Sequence, residues 1–252
     1  MVEVKNVTKS YGDKKVVNNV SLTVQKGKIT SFIGPNGAGK STLLSIMSRL
    51  ISKDSGHVYI DNEELTDQNN SELAKKISIL KQTNHISIRL TVRDLVGFGR
   101  FPYSKGRLTK EDKRYVDEAI RYLELESMQD QFLDKLSGGQ RQRAFIAMVV
   151  AQNTDYVLLD EPLNNLDMKH SVQIMKVLKK LASELNKTIV IVIHDINFAS
   201  VYSDYIVALK DGEVVNQGPT EEIMKSNVLE GIYEIDMDIK EINGDKICVY
   251  YS

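Results

Sequence analysis

Apolar residues follow two rhythms along this chain. Val20, Leu22 and Val24 alternate with polar neighbours, Gln25-Lys26-Gly27 breaks the run, and a mostly apolar stretch follows from Ile29 to Ile33. The pattern predicts a half-buried strand, a turn and a buried strand. Three more short apolar runs have the same texture: Ile77 to Leu80, Tyr156 to Leu159 and Thr188 to Ile193. They lead to Gln82, to Asp160 with Glu161, and to His194, while the first run leads to a glycine-rich loop at Gly34. In open parallel sheets ligands sit beyond the carboxyl ends of the strands, so four such strands side by side bring these residues to one edge. That edge is the predicted active site.

The second rhythm is helical and fills the stretch between Gln82 and Asp155. Thr91 with Asp94, and Thr109 with Asp112, match the Ser/Thr-x-x-acid start of a helix, and Tyr115, Val116, Ala119, Ile120 and Leu123 follow a helical stripe. Residues 83–150 are therefore expected to form an inserted helical subdomain, with 1–82 and 151–252 as the core of a single 252-residue domain. Asp211-Gly212 and Asn243-Gly244 each separate two strand-like runs and predict hairpins at the edge of the structure.

Composition narrows the class. A formal net charge of -1 argues against nucleic acid as a partner gathered by bulk electrostatics. Cys248 is the single cysteine, so no internal disulfide and no cysteine-based metal site is expected, and a reducing compartment fits. The N-terminus lacks the apolar core of a signal peptide and the longest apolar run is far too short to cross a bilayer. A role at a membrane would have to come from docking on another protein.

Gly34-Pro35-Asn36-Gly37-Ala38-Gly39-Lys40-Ser41 fits G-x-x-x-x-G-K-[ST], after an apolar strand and before the helical stretch that begins with Thr42. Such a loop turns backbone N–H groups onto phosphates and adds the partial positive charge of a helix N-terminus. Lys40 would reach the terminal phosphates and the Ser41 hydroxyl would ligate Mg²⁺. Neighbouring side chains on a strand point to opposite faces, which predicts Asp160 in the metal shell and Glu161 towards the attacking water as general base. Leu136-Ser137-Gly138-Gly139-Gln140 precedes a second helical run, with Ser137 as cap and glycines freeing N–H groups for an anion. This is a second phosphate cradle, which an enzyme with a one-part site does not need.

With these motifs in this order, the sequence resembles the nucleotide-binding subunits of ABC transporters over essentially its whole length. The resemblance implies an α/β fold: a P-loop NTPase core of the RecA-like type with a mainly parallel sheet, an N-terminal antiparallel β part and the inserted helices. It implies an ATP hydrolase using ATP and Mg²⁺. Tyr11 resembles the aromatic residue that stacks on adenine, Gly34 to Thr42 the Walker A loop, and Gln82 the residue that senses Mg²⁺ and the docked permease. Ser137, Gly138, Gly139 and Gln140 resemble the ABC signature, Asp160 and Glu161 the Walker B acid and catalytic base, Asn165-Leu166-Asp167 the D-loop, and His194 the switch histidine. A structural strand-edge aromatic is the alternative for Tyr11, a polar strand end for Gln82, and a helix-cap neighbour for His194. His57, His85 and His170 read as surface residues. Asn164-Asn165 departs from the commonest Ser-Ala-Leu-Asp form of the D-loop and leaves the roles of those two side chains open.

The family also implies a partner. One chain carries one Walker A and one signature, so a second copy of itself is expected to complete an ATP sandwich. A separate cassette with no fused membrane helices favours an importer, and Thr91 to Tyr103 with Arg141 to Met148 resembles the ATPases of bacterial iron-siderophore importers. That predicts a peripheral protein on the cytoplasmic face of the cell membrane, working with transmembrane permease subunits and, indirectly, a siderophore-binding lipoprotein. Cobalamin or haem import and a non-transport ABC ATPase are the alternatives.

Overall fold

The computed structural model describes residues 1–82, 86, 88–164 and 166–251. The chain opens with strands β1 (Val2–Tyr11) and β2 (Lys14–Val24), an antiparallel pair that turns between Tyr11 and Lys14. Strand β3 (Ile29–Ile33) then enters the interior, and helix α1 (Lys40–Met47) follows it after the glycine loop. Strands β4 (Ser55–Ile60) and β5 (Glu63–Glu64) return to the first pair, making a four-stranded antiparallel sheet in the order β2-β1-β4-β5.

Helix α2 (Asn70–Lys76) and strand β6 (Ile77–Leu80) lead into the helical stretch. There α3 (Val92–Phe98), α5 (Lys110–Tyr122) and α6 (Gly138–Ala151) pack together, and α4 (Phe101–Ser104) lies against α2. Both expected Thr-x-x-Asp starts are closed capping boxes: the Thr91 and Thr109 hydroxyls accept from Asp94 and Asp112 N–H, and the acids accept in return. The stripe Val116, Ala119, Ile120 and Leu123 is buried against α3 and α6. Arg100 and Asp112 form a buried ion pair at 2.9 Å, each side chain 5% exposed, and Arg100 also donates to the Ala151 carbonyl at 3.0 Å.

The chain then alternates β7 (Tyr156–Asp160), α7 (Met168–Leu185), β8 (Thr188–Val192), α8 (Ile196–Tyr202), β9 (Tyr205–Lys210) and β10 (Glu213–Pro219). The central sheet runs β10-β9-β3-β8-β7-β6, parallel throughout except for β10. Helices α9 (Thr220–Ile223) and α10 (Ser226–Tyr233) and the hairpin of β11 (Asp238–Ile242) with β12 (Asp245–Val249) complete the fold.

The buried strands deal alternate side chains to two cores, as their period of two requires. Phe32, Leu158, Val190 and Val192 face α1 and the antiparallel sheet. Ile33, Leu159, Ile189 and Ile191 face α7 and the helices of the middle segment. A parallel sheet covered on both faces leaves only its ends open to solvent. The four strands expected to lie side by side do so, in the order β3-β8-β7-β6, and their carboxyl ends form the edge on which the site is built.

Candidate active site

Strand β3 delivers Gly34 at that edge, and the loop turns back through an Ala38 N–H bond to the Pro35 carbonyl at 3.2 Å before α1 starts at Lys40. Gly34, Ala38 and Gly39 are buried, while Asn36 and Gly37 are exposed at the tip. Lys40 is 5% exposed and its ammonium donates to the Gly34 and Pro35 carbonyls at 2.7 and 2.8 Å. Burial lowers the Lys40 pKa, and the nearby charges of Glu161 and Asp160 work against that shift. Ser41 donates its hydroxyl to Asp160 Oδ1 at 2.7 Å, and Thr42 follows in the first turn of α1. Asp160, at the end of β7, is 8% exposed. Burial raises its pKa, the Ser41 bond opposes this, and the charge of Glu161 adds to it.

Glu161 is where three strand ends meet. Its carboxylate accepts from Gln82 Nε2 at 2.5 Å, beyond β6, and sits 2.7 Å from His194 Nε2, beyond β8. Asn164 Nδ2 donates to it from the following turn. A cavity of about 290 Å³ opens beside Glu161, Asn164 and His194.

One expectation is corrected here. The strand pleat predicts that Asp160 and Glu161 face opposite ways, but Glu161 has left the strand: its φ is +50°, in the left-handed region. That conformation, which typically costs on the order of 1–3 kcal/mol for a residue with a Cβ, is held by a Glu161 N–H bond to the Val192 carbonyl at 3.2 Å. Both carboxylates consequently share one site, close enough that each acts on Lys40.

Tyr11 ends β1, 52% exposed, with the Lys9 ammonium 5.7 Å from its ring centre. The same hairpin presses on the glycine loop: a Cβ on Gly39 would lie 2.4 Å from the Val16 carbonyl. Ser137 caps α6, accepting from Gln140 N–H at 3.3 Å while its own N–H donates to Gln140 Oε1 at 2.9 Å, so Gly138 and Gly139 open the helix. Two residues on, Gln142 Nε2 donates to the Pro162 carbonyl at 3.0 Å and ties that helix to the residue after Glu161.

Asp167 caps α7, accepting from His170 N–H at 2.9 Å. His170, expected on the surface, is partly exposed, with its Nδ1 2.8 Å from Asp167 Oδ1 and 3.7 Å from where a Cβ on Gly139 would sit. Asp167 and His170 share one face of the first turn, which brings the two side chains together. His57 is exposed as expected and bonds Glu64 at 2.9 Å. His85 and Asn165 lie outside the described residues.

The structure thus gathers Lys40, Ser41, Gln82, Asp160, Glu161 and His194 at one strand edge. Two further contacts had no sequence pattern to announce them, Asn164 on Glu161 and the Tyr233 hydroxyl on Gly34 N–H at 3.1 Å. Chemically the site offers an ammonium and free backbone donors for anionic oxygens, two carboxylates and an imidazole. The Ser41–Asp160 oxygens suit a hard cation. Those two oxygens fit a Mg²⁺-like ion, which takes one or two protein oxygens and the rest from phosphate and water.

The chain is similar to known proteins over most of its length. The ABC transporter family profile matches residues 17–164. The chain is 67% identical to the petrobactin import ATP-binding protein YclP of Bacillus subtilis (strain 168), over all of both chains. It is 50% identical to the petrobactin import ATP-binding protein FatE of Bacillus anthracis, covering 99% of this chain and 100% of that one. Among solved structures it matches the dimeric post-hydrolysis state of the ATP-binding cassette MJ0796 bound to ADP and Pi. That match has a TM-score of 0.79 and 39% identity, over 87% of this chain and 99% of that one.

Proposed function

The chain belongs to the ABC transporter family of ATP-binding proteins, and from that premise we propose that it powers import of a ferric siderophore, petrobactin, through a separate permease. It is an ATPase that binds ATP. The observation that carries the substrate is the 67% identity to a petrobactin import protein across the full length of both chains.

In this reading the loop from Gly34 to Thr42 holds the triphosphate, and Lys40 leaves the Gly34 and Pro35 carbonyls to bind it. Ser41, Asp160 and Gln82 hold Mg²⁺, which when bound neutralises phosphate charge. Glu161 takes the proton of the attacking water, and His194, 2.7 Å from Glu161, orients the terminal phosphate. A second copy supplies Ser137, Gly138, Gly139, Gln140 and Asp167 across the nucleotide, and Tyr11 stacks on adenine. The dimeric form of the MJ0796 cassette supports that pairing. The segment 83–150 moves as a helical unit between core segments 1–82 and 151–252.

Among the described residues no helix is long and apolar enough to cross a membrane. Ile88, Phe98, Phe101 and Tyr103 nevertheless expose large apolar surface, and Phe98 and Phe101 line a cavity of about 520 Å³. Such a patch supports docking of a membrane protein, with the chain peripheral on the cytoplasmic face of the membrane and a siderophore-binding lipoprotein outside.

The test is uptake. A deletion strain supplied with single iron sources should lose growth on ferric petrobactin and regain it with the gene restored. Undiminished ferric-petrobactin uptake, with loss on another chelate, would reassign the cargo.

A further inference from the structure

Gly34 is held from both sides. Its carbonyl accepts from Lys40, while its N–H donates to the hydroxyl of Tyr233, a residue 199 positions away at the end of α10. There is no slack elsewhere: φ at Gly34 is +132°, and a Cβ there would stand 1.9 Å from the Leu209 carbonyl of β9. The peptide entering Gly34 is the first of the phosphate loop. Its orientation decides where the loop's remaining N–H groups point.

Tyr233 is itself fixed. Leu229 and Ile232 bury α10 in the core shared with the central sheet. The Lys210 ammonium, at the end of β9, donates to the Gly231 carbonyl at 3.0 Å and pairs with Glu234, the residue that stops the helix. The hydroxyl stays neutral across the working pH range, because burial pushes the Tyr233 pKa up to about 12.

We propose that Tyr233 is a positioning residue for nucleotide binding: its hydroxyl sets the Gly34 peptide and so couples the seating of α10 to the affinity of the phosphate loop. This rests on the reading of residues 34–42 as the nucleotide loop. A buried N–H left without its acceptor either stays unsatisfied or turns to find another, and both disturb the loop at its first residue.

The experiment compares three variants of the full chain by ATP calorimetry, steady-state hydrolysis with the permease, and thermal unfolding. Tyr233→Phe keeps the ring and removes only the hydroxyl, and is expected to weaken ATP binding and raise KM roughly three- to tenfold with kcat near the parent value. Leu229→Ala loosens the same helix but keeps the hydroxyl, and is expected to lower Tm more and ATP affinity less. Wild-type affinity in Tyr233→Phe overturns the proposal, as does a loss of affinity that merely follows Tm across the two variants. Lys40→Ala separates the two ideas, because unimpaired ATP binding in that variant would remove the loop reading itself.

Discussion

His194 Nε2 lies 2.7 Å from Glu161 Oε1, joining the ends of two neighbouring parallel strands. The contact places an imidazole and a carboxylate on one another at the point where a water would have to be activated. Glu161→Gln keeps the shape but removes the basic oxygen, so ATP turnover should fall by roughly 10²–10⁴ while nucleotide binding persists. Size-exclusion chromatography with ATP should then show an accumulated dimer. Hydrolysis near the parent rate would remove Glu161 from the role of base.

Lys40→Ala acts earlier, on binding. Its ammonium is the positive charge buried at the head of the loop, and a triphosphate would lose its main counter-charge. Calorimetry should show ATP affinity reduced at least tenfold, about 1.4 kcal/mol.

Asp112→Ala tests the helical segment rather than the site. The Arg100–Asp112 pair is buried, so removing the acid leaves the guanidinium uncompensated and should cost about 3–5 kcal/mol in urea unfolding. Burial raises the Asp112 pKa, but the bonds from Thr109 and Arg100 outweigh it and the net value is lowered. A lowered carboxylate pKa contributes stability that is complete above the ordinary value of about 3.9 and disappears as pH falls through the depressed one. The unfolding free energies of parent and variant should therefore converge only in that acidic range.

Gly99→Ala tests a close crossing. A Cβ there would lie 2.1 Å from the Met148 carbonyl of α6, and backbone cannot swing aside as a side chain can. The residue has ordinary helical φ, −56°, so the penalty is steric alone. We expect at least about 1–3 kcal/mol lost in urea unfolding; an unchanged midpoint would mean the two helices separate freely.

The strands that build the site could be read from the chain because each is short and mostly apolar and leads to a polar residue, as at Leu159 and Asp160, or to the glycine loop, as at Ile33. The caps at Thr91, Thr109 and Ser137 were equally legible, since both partners of a capping box lie three residues apart. What escaped was of two kinds. One is the left-handed turn at Glu161, a conformation for which a glutamate carries no local preference. The Tyr233–Gly34 bond spans nearly the whole chain; one hydroxyl among 11 tyrosines leaves no periodicity to detect.

The carbonyl bonds of Lys40 have a consequence for selectivity. The ammonium donates to the Gly34 and Pro35 carbonyls, two of its three N–H bonds, so on the reading of this loop as the phosphate site a phosphate enters by an exchange of partners. Adenosine, or any base and sugar without phosphates, has nothing to give in that exchange and leaves the lysine where it is. On that reading the loop is a lock turned by anionic charge, and the base follows behind it.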